Sequence, residues 1–364
     1  MQIDNQSLAK SLPFLKAGRA ARSAAGSTSN FLLEPTGNGL MLTCSNQVSE
    51  TTCRVQATNV TKDAITLPPE FAEIVERGPD APIVLKLTAK RMDVSIGKAK
   101  AKLPILPGDS FPRLEPGAAG DSFTMESASL RKALAETLAF APTNDPRLFL
   151  NGVLLNLANN RVTCVATNGH IISVSLAPAT MSSQTAIEKI IPVQAARQLA
   201  KVLENDKDVQ ITVSENALQF SCGNTALKVK PIQGAFPNWS KLLKAAPPKT
   251  FAFTRRALQE ALERASIFAD SKVPVAAFKA AGQAIDVCSA SKDSGESNDS
   301  IEIDAPIDGQ AKQFHARIDY VTLACSSLGS DRLRVSYFDE DLTPLWFRKA
   351  DADDCVIIVT PYKS

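Results

Sequence analysis

Hydrophobic positions fall into a pattern that is written three times. The segments MQIDNQSLAKSLPFLKAG, FTMESASLRKALAETLAFAP and FAFTRRALQEALERASIFAD begin at residues 1, 123 and 251, close to one third of the chain apart. In each, a short alternating stretch precedes a polar step and then an apolar stripe of helical period. Ile3, Met125 and Phe253 stand five places before Leu8, Leu130 and Leu258, and four places on come Leu12, Leu134 and Leu262. A spacing of four puts each leucine pair on one helix face. Ser127 and Thr254 stand where an N-cap is expected.

A second unit recurs inside each third. Ile65-Thr-Leu-Pro68 runs into Phe71, Ile74 and Val75; Ile190-Ile-Pro192 runs into Ala195, Leu199, Val202 and Leu203; and Phe314 to Ile318 runs into Val321, Leu323 and Leu328. Each reads as a strand followed by a short amphipathic helix. Strand pairs follow, such as Ile83–Leu87 with Met92–Ile96 and Val209–Val213 with Ala217–Phe220. Phe111-Pro112 and Phe236-Pro237 close the first two thirds. The prediction is an α+β chain of three similar domains, 1–121, 122–247 and 248–364, each with two helices and antiparallel strands. The polar run Ser291–Ser300 reads as a solvated hairpin loop.

Composition narrows the function. The 364 residues carry 40 Lys and Arg against 38 Asp and Glu, a net charge of +2, so neither a basic nucleic-acid coat nor an acidic tail protein fits. No apolar run is long enough to span a membrane, and the first residues lack an export signal, so a cytoplasmic location is expected. The seven cysteines form no CxxC pair and sit in apolar stretches, as small buried hydrophobes in a reducing compartment do. With two histidines and no phosphate-loop, dinucleotide, nucleophile-elbow or zinc-protease motif, no catalytic residue, cofactor or metal is expected. Basic residues gather at Lys86, Lys90, Arg91, Lys98, Lys100 and Lys102, and recur on corresponding helices as Lys10, Arg22, Arg131, Arg197, Lys201, Arg255 and Arg264. Helices arranged about an axis would present these to a polyanion.

Several stretches carry a resemblance. Arg147-Leu-Phe-Leu-Asn-Gly152, Cys164-Val-Ala-Thr-Asn-Gly-His170, Phe236-Pro-Asn-Trp239 and the apolar ending Val356–Ser364 together resemble the bacterial DNA polymerase III beta subunit family, the sliding clamps. The resemblance spans the chain and is strongest over 123–243. It implies a head-to-tail homodimer closed into a ring, with helices lining a hole for double-stranded DNA of any sequence and sheets outside. Such a ring is a processivity factor without a catalytic step. It tethers the polymerase III alpha subunit and the clamp loader through short linear motifs, and it has no membrane role. The alternative is a clamp-fold adaptor that binds DNA or peptide motifs without closing.

The same resemblance assigns residues. Arg22, Arg147, Phe149, Arg197 and Lys201 are expected to meet DNA. Leu103, Ile105, Ile267 and Phe268 are expected at the dimer interface. A partner-peptide pocket is expected from Leu150, Thr167, Gly169, His170, Ile171 and Ile172 in the middle third. Pro237, Lys241, Leu242 and Val273 extend it, and Leu342, Pro344, Ile358, Thr360, Pro361 and Tyr362 complete it. The chain departs from the family pattern at Leu148, at Ile171 where a basic residue is usual, and in its Thr-Pro-Tyr-Lys-Ser ending. These changes imply an altered peptide preference.

Overall fold

The structure is a computed structural model. It describes residues 1–19, 29–37, 39–60, 62–88, 90–115, 120–181, 186–204, 207–291 and 295–363. The six helices found among them fall two to each third: α1 (Asn5–Ala17), α2 (Glu70–Arg77), α3 (Ser127–Thr137), α4 (Val193–Val202), α5 (Arg255–Ile267) and α6 (Ile318–Leu328). The repeated apolar stripe accounts for α1, α3 and α5. Leu8, Leu12, Leu130, Leu134, Leu258 and Leu262 are all buried, as are Ile3, Met125 and Phe253 in the strands that lead into those helices. The capping expectation is not met. Thr254 sits at the N-cap of α5 without a side-chain bond, and the Ser127 hydroxyl lies 3.3 Å from Cys222 Sγ. Asp4, at the head of α1, does cap, accepting from the Ser7 N–H at 2.7 Å.

Contacts gather the described residues into two compact units. One takes in 1–131, 179–185 and 194–232; the other takes in 132–178, 186–193 and 233–364. The middle third is shared between them because each unit has one antiparallel sheet that runs through a boundary between thirds. In the first unit, strand Thr225–Val229 pairs with Ser49–Thr58. In the second, strand Ile171–Pro178 pairs with Cys355–Val359.

The second sheet positions the site. Its order is Ile187–Pro192, Gly152–Ala158, Arg161–Thr167, Ile171–Pro178, Cys355–Val359, Leu345–Lys349, Arg332–Tyr337, Lys249–Thr254, Gly295–Arg317 and Val275–Ser291. The last two strands form a long hairpin in which Asp286 pairs with Ser300 and Ser291 with Gly295. Much of the run read as a loop is therefore strand. Cross-strand partners supply the backbone bonds that a polar composition alone does not announce.

Six cysteines are buried and Cys288 is half-buried, all seven as free thiols. Burial pushes the Cys325 thiol up to about 12, the direction of an inert core cysteine.

Candidate functional site

The turn Thr167–Ile171 is fastened by its own side chains. The Thr167 hydroxyl donates to the Ile171 carbonyl at 2.8 Å and accepts from the Gly169 N–H at 3.0 Å. Asn168 Oδ1 accepts from the N–H groups of His170 and Ile171 at 3.0 and 3.1 Å. Gly169 has φ 95°, where a side chain is strained, and a Cβ there would lie 3.4 Å from the Arg147 guanidinium.

Arg147 braces this turn. Its Nε and a terminal nitrogen donate to the two Asp145 oxygens at 2.9 Å each, and it also reaches the Asn168 carbonyl at 3.3 Å. Asn151 locks Asp145 through two backbone bonds of 2.8 Å. Hydrogen bonding from Arg147 holds the Asp145 carboxyl down at about 2, and the same bond holds the guanidinium above its usual range. Arg147, expected at DNA, is thus already engaged by a carboxylate. Its neighbour Leu148 is 69% exposed, and half-buried Phe149 lies against Gly234, where a Cβ would sit 3.5 Å from its own.

The chain end docks beside the turn. The Thr360 N–H donates to the His170 carbonyl at 3.0 Å, and the Tyr362 N–H to the His315 carbonyl at 2.7 Å. A terminus normally frays; here two backbone bonds carry order past the last strand. The His170 ring stacks on Tyr320 with centroids 6.3 Å apart and planes 19° off parallel. The Arg317 guanidinium covers the same Tyr320 ring at 4.8 Å.

Register separates floor from support. Ser173, Ser175 and Lys349 reach Glu136 of α3, which fixes the helix side of the sheet. Alternation places Thr167, Ile172, Ile358 and Trp346 on the opposite side, and direct pairing joins them into one row. Ile171 and Val359, paired with each other, face the helix side with Ser173, so Ile171 is core rather than pocket wall. Leu150 is also buried. Pro237, Lys241, Leu242, Leu342, Thr360 and Tyr362 are exposed, and Val273, Pro344 and Pro361 are half-buried. Three of these, Leu242, Leu342 and Tyr362, are large apolar side chains at 46%, 55% and 42% exposure. Leu342 also holds a positive φ of 58°. An apolar row bordered by exposed leucines, prolines and a tyrosine suits an extended peptide with hydrophobic side chains.

A family profile described as "DNA polymerase III beta subunit, central domain" matches residues 124–238. The beta sliding clamp of Pseudomonas putida is 24% identical over 365 residues, covering 99% of each chain. Along its whole length the chain is similar to bacterial beta sliding clamps, at an identity of about a quarter. Its fold follows the crystal structure of DNA polymerase III subunit beta from Pseudomonas aeruginosa, with TM-score 0.93, 24% identity and full coverage of both chains. It also follows the Bacillus subtilis sliding clamp, with TM-score 0.90, 20% identity and coverage of 100% and 98%.

Arg197 and Lys201 are exposed on α4, away from buried Ala196, Leu199 and Val202. Arg22 lies outside the described residues. Leu103 is buried in the core of the first unit, Ile105 packs against that core, and their neighbour Leu106 is 43% exposed. Ile267 ends α5 at 68% exposure, and Phe268 after it is half-buried. Sequence reasoning missed Trp346, Tyr320 and Arg317. Their only signal lies in strand register and in the tail's docking, which no linear motif encodes.

Proposed function

We propose that the chain is a processivity clamp: a closed ring that slides on duplex DNA and holds partners by a peptide groove. Correspondence with clamps along the whole length of the chain carries this reading. Tethering requires no covalent step, so no residue is assigned a catalytic role. Arg22, Arg197 and Lys201 contact phosphates, which positions the duplex without reading its sequence and leaves the ring free to slide. Phe149 lies against Gly234 and Arg147 braces the turn, so both are assigned to support. The three clamp domains are 1–121, 122–247 and 248–364.

Ring closure joins the first third of one copy to the last third of the next. Two features support it. A cavity of about 340 Å³ opens between α2 and the edge strand Ala99–Pro104, with Ile74, Val94, Ile96 and Ala101 among its walls. Exposed Ile267 of a second copy suits it. Charge also complements: Lys86, Arg91, Lys100 and Lys102 are exposed on the edge-strand side, while Glu296, Glu302 and Asp304 are exposed on the hairpin of the last third. The closed form is a homodimer, since three domains from each copy complete the circle.

The groove takes a short linear motif from a polymerase or loader subunit, with apolar side chains against Ile172, Ile358, Leu242, Leu342 and Tyr362. Retention on circular DNA tests the whole reading. A ring placed on a nicked circle by a clamp loader should stay through a 200 mM salt wash and leave when the circle is linearised (about this salt, open phosphate contacts fail). Equal retention on short linear duplexes with free ends would reject sliding.

A further inference from the structure

A second row lies beside the groove floor on the same face of the sheet. Two residues along the strand from Trp346 stands Arg348, and directly across from it on the neighbouring strand stands Arg334. Like charges directly opposite one another in an antiparallel pair are unfavourable. The other paired arginines of this unit each have their own carboxylate: Arg317 has Asp319, Arg264 has Asp299 and Arg256 has Glu260. Arg334 and Arg348 share a single oxygen, Oδ1 of Asp353, which Arg348 meets at 3.1 Å. Asp353 is itself 70% exposed. The Nε of each arginine is enclosed and has no acceptor among the described residues. The Arg348 guanidinium lies 5.0 Å from the Trp346 ring centre, leaning back over the floor.

Two half-buried guanidiniums on one exposed carboxylate leave donors to spare, and a planar fork matches a carboxylate in two-point contact. Burial, with Arg334 close by, holds the Arg348 charge below its ordinary range despite Asp353. A second anion would relieve that repulsion.

We propose that Arg334 and Arg348 form an acid-binding subsite at the end of the groove, which selects partner peptides carrying Asp or Glu beside their apolar motif. The inference rests on the peptide groove proposed above and deepens it. Asp353 occupies the fork in the free protein and gives way when a partner carboxylate arrives, so its exposure is part of the device. A peptide class is favoured over nucleic acid because the arginines flank a row of buried apolar side chains, against which a phosphate backbone has nothing to pack.

The test uses the full chain and two fluorescent peptides with the same apolar motif, one flanked by two aspartates and one by two asparagines. Wild type should bind the acidic peptide about tenfold tighter, as expected for charge-assisted bonds. The double variant Arg334→Gln with Arg348→Gln should lose that preference and bind the asparagine peptide as wild type does. Asp353→Asn, which leaves both arginines in place, should widen the preference. Equal wild-type binding of the two peptides would overturn the subsite while leaving the groove standing. Binding of neither would overturn the groove and this inference with it. A double variant that keeps its peptide preference but loses affinity for a short DNA duplex would reassign the arginines to nucleic acid and overturn the proposal.

Discussion

Lys349 Nζ lies 2.6 Å from a Glu136 carboxylate oxygen, with the two side chains 10% and 6% exposed. The pair links α3 of the middle third to a strand of the last third. Glu136 also accepts from the Ser175 hydroxyl at 2.6 Å, and Lys349 reaches Asp354 at 3.2 Å. Lys132 closes the network on Asp354. Burial works against the Lys349 charge, but bonds and charge from Glu136 outweigh it and hold the ammonium above its ordinary range. The network lies on the helix side of the same sheet whose other side carries the proposed groove.

Breaking this pair from one side should be costly. Lys349→Met leaves a buried carboxylate uncompensated, and such losses run to about 3–5 kcal/mol. The denaturant midpoint should fall without a change in slope. Adding Glu136→Leu should recover much of the loss, because an apolar pair of similar volume removes the stranded charge. A single variant as stable as the parent would show that the pair contributes nothing.

The first helix of each third was legible in the sequence because its leucines fall at i and i+4, and the second because a strand leads into a short apolar stripe. Leu8, Leu130 and Leu258 needed only local spacing. The candidate site's Thr167–His170 turn and the apolar chain end beside it were legible as motifs, and their docking is seen in the Thr360 to His170 bond. Trp346 and Arg348 were not, because the residues they join, Ile358 and Arg334, become neighbours only through strand pairing. Ile171 was misplaced for a related reason. Alternation says that Ile171 and Ile172 face opposite ways, but only the bonds to Glu136 say which side holds the helix. The sheet continuity across thirds was also invisible, since pairing between Thr225–Val229 and Ser49–Thr58 leaves no linear trace.

The turn should weaken in acid. Asp145 titrates near 2 in the folded chain against an ordinary 3.8. A carboxylate lowered by folding contributes stability above its unfolded value and loses it as pH falls through the folded one. The Arg147 brace should therefore be intact above about pH 4 and released toward pH 2. Backbone resonances of Gly169 and His170 report this in wild type. In Asp145→Asn they should shift toward the released state already at neutral pH.

Tail docking should be separable from folding. Truncation after Val359 removes the two backbone bonds made by Thr360 and Tyr362 and the exposed tyrosine, yet leaves the strand Cys355–Val359 paired on both sides. Thermal stability should move little while affinity for a motif peptide falls at least tenfold, about 1.4 kcal/mol. Unchanged peptide affinity would place the groove elsewhere.

Ring closure predicts a monomer on charge insertion at the end of α5. Ile267 is 68% exposed, so Ile267→Asp should leave the fold unchanged, yet a carboxylate in an apolar cavity is costly to bury. Light scattering at micromolar concentration should give two chains for wild type and one for the variant. A wild-type mass of one chain would argue for an adaptor that does not close.

Each chain should bind one motif peptide, although the first unit holds a counterpart of the groove turn. Asn46 Oδ1 accepts from the N–H groups of Val48 and Ser49 at 3.1 and 2.7 Å, as Asn168 does from His170 and Ile171. Gln47, at φ 68°, takes the place of Gly169, and its N–H reaches the Ser45 hydroxyl at 3.3 Å. The Lys230 N–H donates to the Val48 carbonyl at 2.9 Å, as Thr360 does to His170. The backbone is repeated but the surroundings are not. The Leu114 N–H is held by Glu50 at 2.9 Å and its carbonyl by Lys228 at 3.5 Å, so the chain's own segment occupies this side. The connection corresponding to exposed Leu342 is here polar, Ser214-Glu-Asn-Ala217. Calorimetric titration should therefore give one site per chain, and Asn168→Ala should abolish most of the heat while Asn46→Ala leaves it unchanged. Two sites of similar affinity, or equal effects of the two substitutions, would show that the turn rather than its surroundings makes the groove.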